Sequence, residues 1–303
     1  MFDKLIALIL VISFVGVGSV SFPHIENEEV APTVESVNYT IEEKGNHPDI
    51  GDIVNANQDL VFRSYKVNGI PTLEVYQDNG EVKPLVMVLH GLNGYKEGNA
   101  YLMAMLAKNG YHAVSIDNEA HGDRESEDMS FYGIIKDTMY DVETVLAYYD
   151  SLGMIVDNNL VVGGFSMGGM VSYMLGAYSS YQPKMIVGIS SLGDFESIAN
   201  SYLMSTRVKD GIAYQDDSFK EENMAIASEI NPAKNIEGFR DNDILIYHSH
   251  DDTVLPYGCE ERFYNMLIDS GISVEMVSFE DAGHSVPNDF IKVLIERLNE
   301  VFK

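Results

Sequence analysis

Leu160-Val161-Val162-Gly163-Gly164-Phe165-Ser166-Met167-Gly168-Gly169-Met170 decides the fold. Its first half is an apolar run suited to a strand buried on both faces of a parallel sheet. That run enters a G-x-S-x-G sequence at Gly164, and a small-residue helix from Gly168 to about Ala177 leaves it. A serine on so sharp a strand-to-helix turn sits in a backbone conformation costing about 1–3 kcal/mol. Glycines on either side let strand and helix approach closely, and leave the hydroxyl exposed at the sheet's edge. A glycine-rich βα turn without chemistry would look the same locally. It would, however, require no partners elsewhere in the chain.

Partners are present. A nucleophile of this kind needs an acid and then a histidine, each at the C-terminal end of a later strand. The strand Asp243–His248 leads into Ser249-His250-Asp251-Asp252-Thr253-Val254-Leu255-Pro256. The strand Val274–Ser278 leads into Glu280-Asp281-Ala282-Gly283-His284-Ser285. His284, on a small-residue loop, can take the Ser166 proton, while Asp252 or its neighbour Asp251 holds the other imidazole nitrogen. Acyl transfer also builds charge on a carbonyl oxygen, so two backbone N–H donors are required. Met167, directly after the serine at a helix N-terminus, supplies the first. The second is expected from His90-Gly91-Leu92-Asn93-Gly94, which follows the apolar strand Leu85–Leu89.

These segments resemble the α/β-hydrolase family, and within it small bacterial serine esterases related to dienelactone hydrolases and prolyl-oligopeptidase catalytic domains. The likeness runs from about Leu85 to the C-terminus. It is carried by His90–Gly94, Asp117-Asn118-Glu119-Ala120-His121-Gly122, Gly164–Gly168, Asp252–Pro256 and Ala282-Gly283-His284. The resemblance implies Asp252 as the acid, four residues before Pro256, and the Leu92 N–H as the second oxyanion donor. His248-Ser249-His250 stands where the family usually has His-Gly, a departure in the acid loop. The dienelactone branch uses a cysteine nucleophile, so Ser166 favours ester chemistry. The implied fold is a mostly parallel sheet flanked by helices, with a small helical cap. The implied partner is a small-molecule ester, with neither metal nor organic cofactor.

Outward from this core the pattern agrees with one α/β domain over residues 60–303. Strands Leu60–Lys66 and Thr72–Tyr76 flank Val67-Asn68-Gly69 and read as a leading hairpin. Helices are expected at Ala100–Lys108, Tyr132–Ser151 and Tyr257–Asp269, and strands at Tyr111–Ile116 and Met185–Ile189. Residues 193–241 are too long for a plain βα link and read as a helical cap. Phe195, Tyr202, Leu203, Met204, Tyr214 and Met224 are its candidates for an acyl pocket. His121, on the loop after the strand ending at Ile116, is more often a hydrogen-bonded structural histidine than a pocket residue. Cys259 reads as an inert helix residue.

Leu5–Phe22 carries no charge and reads as a signal peptide or an N-terminal membrane anchor (residues 1–22), which implies a secreted or extracytoplasmic protein. Residues 23–59, polar and acidic, read as a loosely attached spacer. The membrane is then met only through an uncleaved N-terminus. The chain's 303 residues carry 19 Lys+Arg against 47 Asp+Glu, a net charge of −28, which disfavours nucleic acid. A single cysteine excludes an internal disulfide framework and a thiolate zinc site. Three rival chemistries remain. The same triad could serve a serine peptidase or an acyltransferase, although the N-terminal hundred residues are short for the gating domain of prolyl-oligopeptidase relatives. His248, His250 and Asp252 also mimic the opening of a binuclear metal site, without the histidine that should follow and with Ser166 left unexplained. Oligomeric state is not encoded in these patterns.

Overall fold

The apolar runs pair into a nine-stranded sheet in the computed structural model, which describes residues 39–44, 50–124, 128–287 and 289–302. The chain divides into residues 1–38 and a unit Tyr39–Lys303. The signal or anchor segment therefore lies outside the described residues. In chain order the strands of the large sheet are β1 (Ile41–Lys44), β2 (Val61–Val67), β3 (Ile70–Tyr76), β4 (Leu85–Leu89) and β5 (His112–Ile116). After the two-residue β6 (Met129–Ser130) come β7 (Leu160–Phe165) and β8 (Met185–Ile189). Past the hairpin strands β9 (Thr206–Lys209) and β10 (Ile212–Gln215) follow β11 (Asp243–Ser249) and β12 (Ser273–Phe279). The sheet order is β1-β2-β3-β5-β4-β7-β8-β11-β12. The β1–β2–β3–β5 pairs are antiparallel, and every pair from β5 to β12 is parallel. The turn Asn68-Gly69, with φ of 50° and 87°, is the tight hairpin that its sequence demands.

Helices are α1 (Gly51–Ala56), α2 (Ala100–Lys108), α3 (Phe131–Ser151), α4 (Met167–Tyr178), α5 (Lys220–Glu229), α6 (Tyr257–Asp269) and α7 (Phe290–Val301). The two-residue period of a strand sorts the core into two layers. In β4, Leu85, Met87 and Leu89 pack with α3 and α4, while Val86 and Val88 pack with α2 and α7. A third cluster joins Tyr173 of α4 to Phe263 and Leu267 of α6. Because β4, β7, β8, β11 and β12 are parallel, the loops that follow them emerge along one edge of the sheet.

Two expectations need correction. Residues 23–59 are not a spacer throughout: β1 is an edge strand, registered from Ile41↔Val67 to Lys44↔Ser64, and Ile50 before α1 is 2% exposed. β1 escaped notice because an edge strand with Glu42 and Glu43 facing water has no apolar alternation to read. The cap, in turn, is not purely helical. Besides 3-10 turns and α5 it contains the β9–β10 hairpin, and β9 also pairs with β6 in a separate three-stranded sheet. Asp210-Gly211, with φ of 48° and 73°, turns that hairpin. An Asp-Gly turn between alternating residues was a readable signal for it.

Candidate active site

Ser166 adopts φ 52° and ψ −117°, a region that only a surrounding scaffold makes tenable. The scaffold is specific. Its N–H donates to the Ile189 carbonyl at 2.8 Å, and its carbonyl accepts from the Gly169 and Met170 N–H groups at 3.0 and 3.1 Å. β4 crosses close behind: a Cβ on Gly168 would stand 2.3 Å from the Leu89 carbonyl oxygen, and one on Gly164 2.6 Å from it. The flanking glycines are thus a steric requirement.

From the far side of the site, His284 places Nε2 2.9 Å from Ser166 Oγ and Nδ1 2.8 Å from Asp252 Oδ2. The other Asp252 oxygen accepts the Val254 and Leu255 N–H groups, each at 2.9 Å. Burial pushes the Asp252 carboxyl up, but the His284 hydrogen bond and these two amides outweigh it and hold it below its ordinary value. An ionised Asp252 can only accept, so the imidazole proton sits on Nδ1 and the Nε2 lone pair faces the hydroxyl. Asp251 does something else. It accepts from the Ser249 hydroxyl and from the Gly283 and Ala282 N–H groups at 2.9 and 3.2 Å, so it grips the loop that carries His284.

Of the metal alternative's three residues, His248 and Asp252 lie side by side, with Nε2 3.5 Å from Oδ2, but His250 does not join them. His248 is fully buried, and burial lowers its pKa; the neutral ring donates from Nε2 to the Leu255 carbonyl at 2.8 Å. His250 stacks on Tyr257 at 4.0 Å, with Glu280 3.9 Å away. Both Asp252 oxygens are already engaged. Among the described residues no cluster of His, Cys, Asp and Glu is arranged to hold a metal ion.

The Met167 and Leu92 N–H groups are not taken up by backbone acceptors among the described residues. The loop that carries Leu92 is stapled by His90, a buried residue whose pKa burial pulls down to about 4. The neutral ring donates from Nδ1 to the Gly91 carbonyl at 2.8 Å and accepts the Asn118 N–H on Nε2 at 3.0 Å. This ties the loop after β4 to the loop after β5. A second tie is ionic and was invisible in the sequence. Lys96 is 1% exposed, and its Nζ lies 2.9 Å from Asp117, 2.9 Å from Glu97 and 3.0 Å from Asp123. Burial disfavours the Lys96 ammonium, but the carboxylates prevail and raise its pKa. Nothing in a Lys-Glu pair announces burial; only the distant Asp117 and Asp123 make it possible.

Ser166 and His284 face a cavity of about 200 Å³ walled by Leu92, Phe131, Phe165, Met170 and Leu255. Of the cap residues expected there, Tyr202 and Leu203 line it. Phe195 and Met204 are core residues, Tyr214 donates to Asp128 at 2.9 Å, and Met224 is exposed. His121 is fully buried and donates from Nδ1 to the Glu119 carbonyl at 2.8 Å, a structural role away from this cavity. Asn93 carries no local signal of its role: its Oδ1 accepts the Ala213 N–H at 3.0 Å, hooking the cap hairpin to the loop after β4. Another cavity of about 200 Å³ shares Phe165 as a wall and lies against Phe290 and Leu294. It is lined by apolar side chains with Asn99, and no titratable group among the described residues lines it.

Comparison with known proteins bears on the family and the fold. The model of the prolyl oligopeptidase family matches residues 97–300. YitV of Bacillus subtilis (strain 168), a candidate esterase, is 24% identical over 252 residues, covering 78% of this chain and 97% of that protein. Esterase YjfP of Escherichia coli (strain K12) is 26% identical over 223 residues, covering 70% and 86%. The crystal structure of TT1662 from Thermus thermophilus superposes with a TM-score of 0.62 at 19% identity, covering 80% of this chain and 98% of the other, a likeness of fold. The family match spans more than half of the chain, and the sheet order and the serine elbow accord with it, so this chain belongs to the prolyl oligopeptidase family and is a serine hydrolase of the α/β-hydrolase fold.

Proposed function

We propose that the chain hydrolyses carboxylic esters of small to medium size through an acyl-enzyme on Ser166. The observation that carries this reading is the unbroken hydrogen-bonded line Ser166–His284–Asp252 at the floor of an apolar cavity. His284 removes the Ser166 proton as the hydroxyl attacks, then returns it to the leaving alcohol; Asp252 holds the ring and stabilises the imidazolium. The Met167 and Leu92 amides receive the oxyanion at the N-terminus of α4, and such a donor is worth about 3–4 kcal/mol in the transition state. Water, activated by the same histidine, then releases the acid. Among the described residues the walls offer no Lys or Arg for an anionic acyl group, and the esterase names of YitV and YjfP support esters over peptides.

The test is a p-nitrophenyl ester series of increasing acyl length, run beside aminoacyl p-nitroanilides and Ser166→Ala. Short to medium esters should turn over fastest. Full activity in Ser166→Ala would overturn the nucleophile, and faster anilide cleavage would turn the assignment to peptides. The same proposal includes export directed by residues 1–22, which mass spectrometry of the protein recovered outside cells would check.

A further inference from the structure

We propose that Ser190 and Ser191, adjacent at the corner after β8, are positioning residues that set the distance between Ser166 and His284. The inference rests on the triad proposed above. Ser191 Oγ donates to the Ser166 carbonyl at 3.0 Å, and Ser190 Oγ donates to the carbonyl of Ser285, next to the base, at 3.3 Å. One dipeptide thus touches the nucleophile's turn with one hydroxyl and the histidine's loop with the other.

Three observations separate this from ordinary hydroxyl satisfaction. The Ser166 carbonyl already accepts two N–H groups, so the Ser191 hydroxyl is a third donor that polar bookkeeping does not require. The helix is bare where that hydroxyl approaches: a Cβ on Gly169 would stand 2.5 Å from both Cβ and Oγ of Ser191. Ser190 sits at φ 43° although it is not glycine, and is held there by its N–H bond of 2.8 Å to the Tyr247 carbonyl. Strain of this kind persists only where the surroundings over-determine it. The corner is itself anchored, since the Gly193 N–H donates at 2.9 Å to Glu260 of α6. Both serines are at most 1% exposed, so water cannot replace either contact freely. Nucleophile and base stand on separate loops, and an error of about 1 Å in such a pair can cost about a hundredfold in rate.

The experiment compares Ser190→Ala, Ser191→Ala and the double variant by ester hydrolysis across pH, with unfolding midpoints measured in parallel. Each single variant should lose about five- to twentyfold in kcat with KM within about twofold, consistent with the loss of one positioning hydrogen bond. Ser190→Ala, which loosens the histidine loop, should also move the acidic limb of the kcat/KM profile, and Ser191→Ala should not. The double variant should fall by less than the product of the singles, because both act on one distance. Should Ser190→Ala misfold, Ser190→Gly removes the hydroxyl while accepting the positive φ. Single variants within about twofold of the parent in kcat, or losses with an unmoved pH profile in Ser190→Ala, would overturn the proposal. Activity retained in Ser166→Ala would instead overturn the triad on which it rests.

Discussion

Replacing Glu260 by Gln should remove a pH-dependent weakness from the fold. The carboxyl is fully buried between Tyr173 OH at 2.6 Å and the Gly193 N–H at 2.9 Å, with no cation among the described residues bonded to it. Burial pushes its pKa from 4.5 up to about 8. The folded protein therefore holds this proton over a pH range in which the unfolded chain has released it. Stability from this group is complete below about pH 4.5, falls as pH rises, and levels off above about pH 8. At about 1.4 kcal/mol for each pH unit, the whole interval is worth at most about 5 kcal/mol, and the part between pH 6 and pH 9 about 3 kcal/mol. Glutamine cannot ionise; its oxygen can accept from the Tyr173 hydroxyl, and the loss of the Gly193 contact is a cost that does not change with pH. Guanidinium unfolding of parent and Glu260→Gln at pH 6 and pH 9 isolates this group, since other titrations cancel between the two proteins. The parent should lose about 3 kcal/mol more than the variant, or about 6–12 °C in Tm for a domain of this size. Parallel stability–pH curves would refute the reasoning, because they would mean that Glu260 is either ionised and compensated in the fold or open to water.

Three further outcomes follow from the site. Asp252→Asn should lower kcat about ten-thousandfold by imposing the wrong imidazole tautomer, whereas Asp251→Asn, which weakens only the grip on Ala282 and Gly283, should cost about tenfold or less; equal losses in ester hydrolysis would sink this division. Gly168→Ala should leave no fluorophosphonate-reactive enzyme, because its methyl would stand 2.3 Å from the Leu89 carbonyl and the turn could not close; normal labelling would contradict the steric argument. Lys96→Met should destabilise the protein by about 3–5 kcal/mol by stranding Asp117 and Glu97 without their cation, to be read from denaturant midpoints.

The parts of the site that were legible share one property: their signal is local. Gly164–Gly168, Asp252 to Pro256 and Gly283-His284 each carry their geometry in a handful of neighbouring residues, and the strands before them are apolar enough to be placed by eye. β4 and α6 were legible for the same reason. What stayed hidden depends on residues far apart in the chain. Lys96 looks like a solvent-facing cation until β5 delivers Asp117. Asn93 looks like a loop residue until the cap hairpin delivers the Ala213 N–H. The spacing to Pro256 singled out Asp252 through the resemblance, but nothing near Asp251 announced that it grips the loop beneath the imidazole. The cap was read as helical because its aromatic residues have no strand period, although Asp210-Gly211 marked the turn.

β1 has a consequence for how the protein stays soluble. Left uncovered, β2 would present the backbone of Val61-Phe62-Arg63-Ser64-Tyr65-Lys66-Val67 as an open edge, a ready template for another chain. β1 occupies that edge, with Glu42 and Glu43 exposed and Glu43 paired to Arg63 at 2.6 Å. Part of the chain's acidity thus lies where strand-by-strand aggregation would begin, and repels it. A chain trimmed to start at residue 60 would keep Ser166, Asp252 and His284 and lose this guard; it should form high-molecular-weight species on size exclusion, while a chain starting at Tyr39 should not.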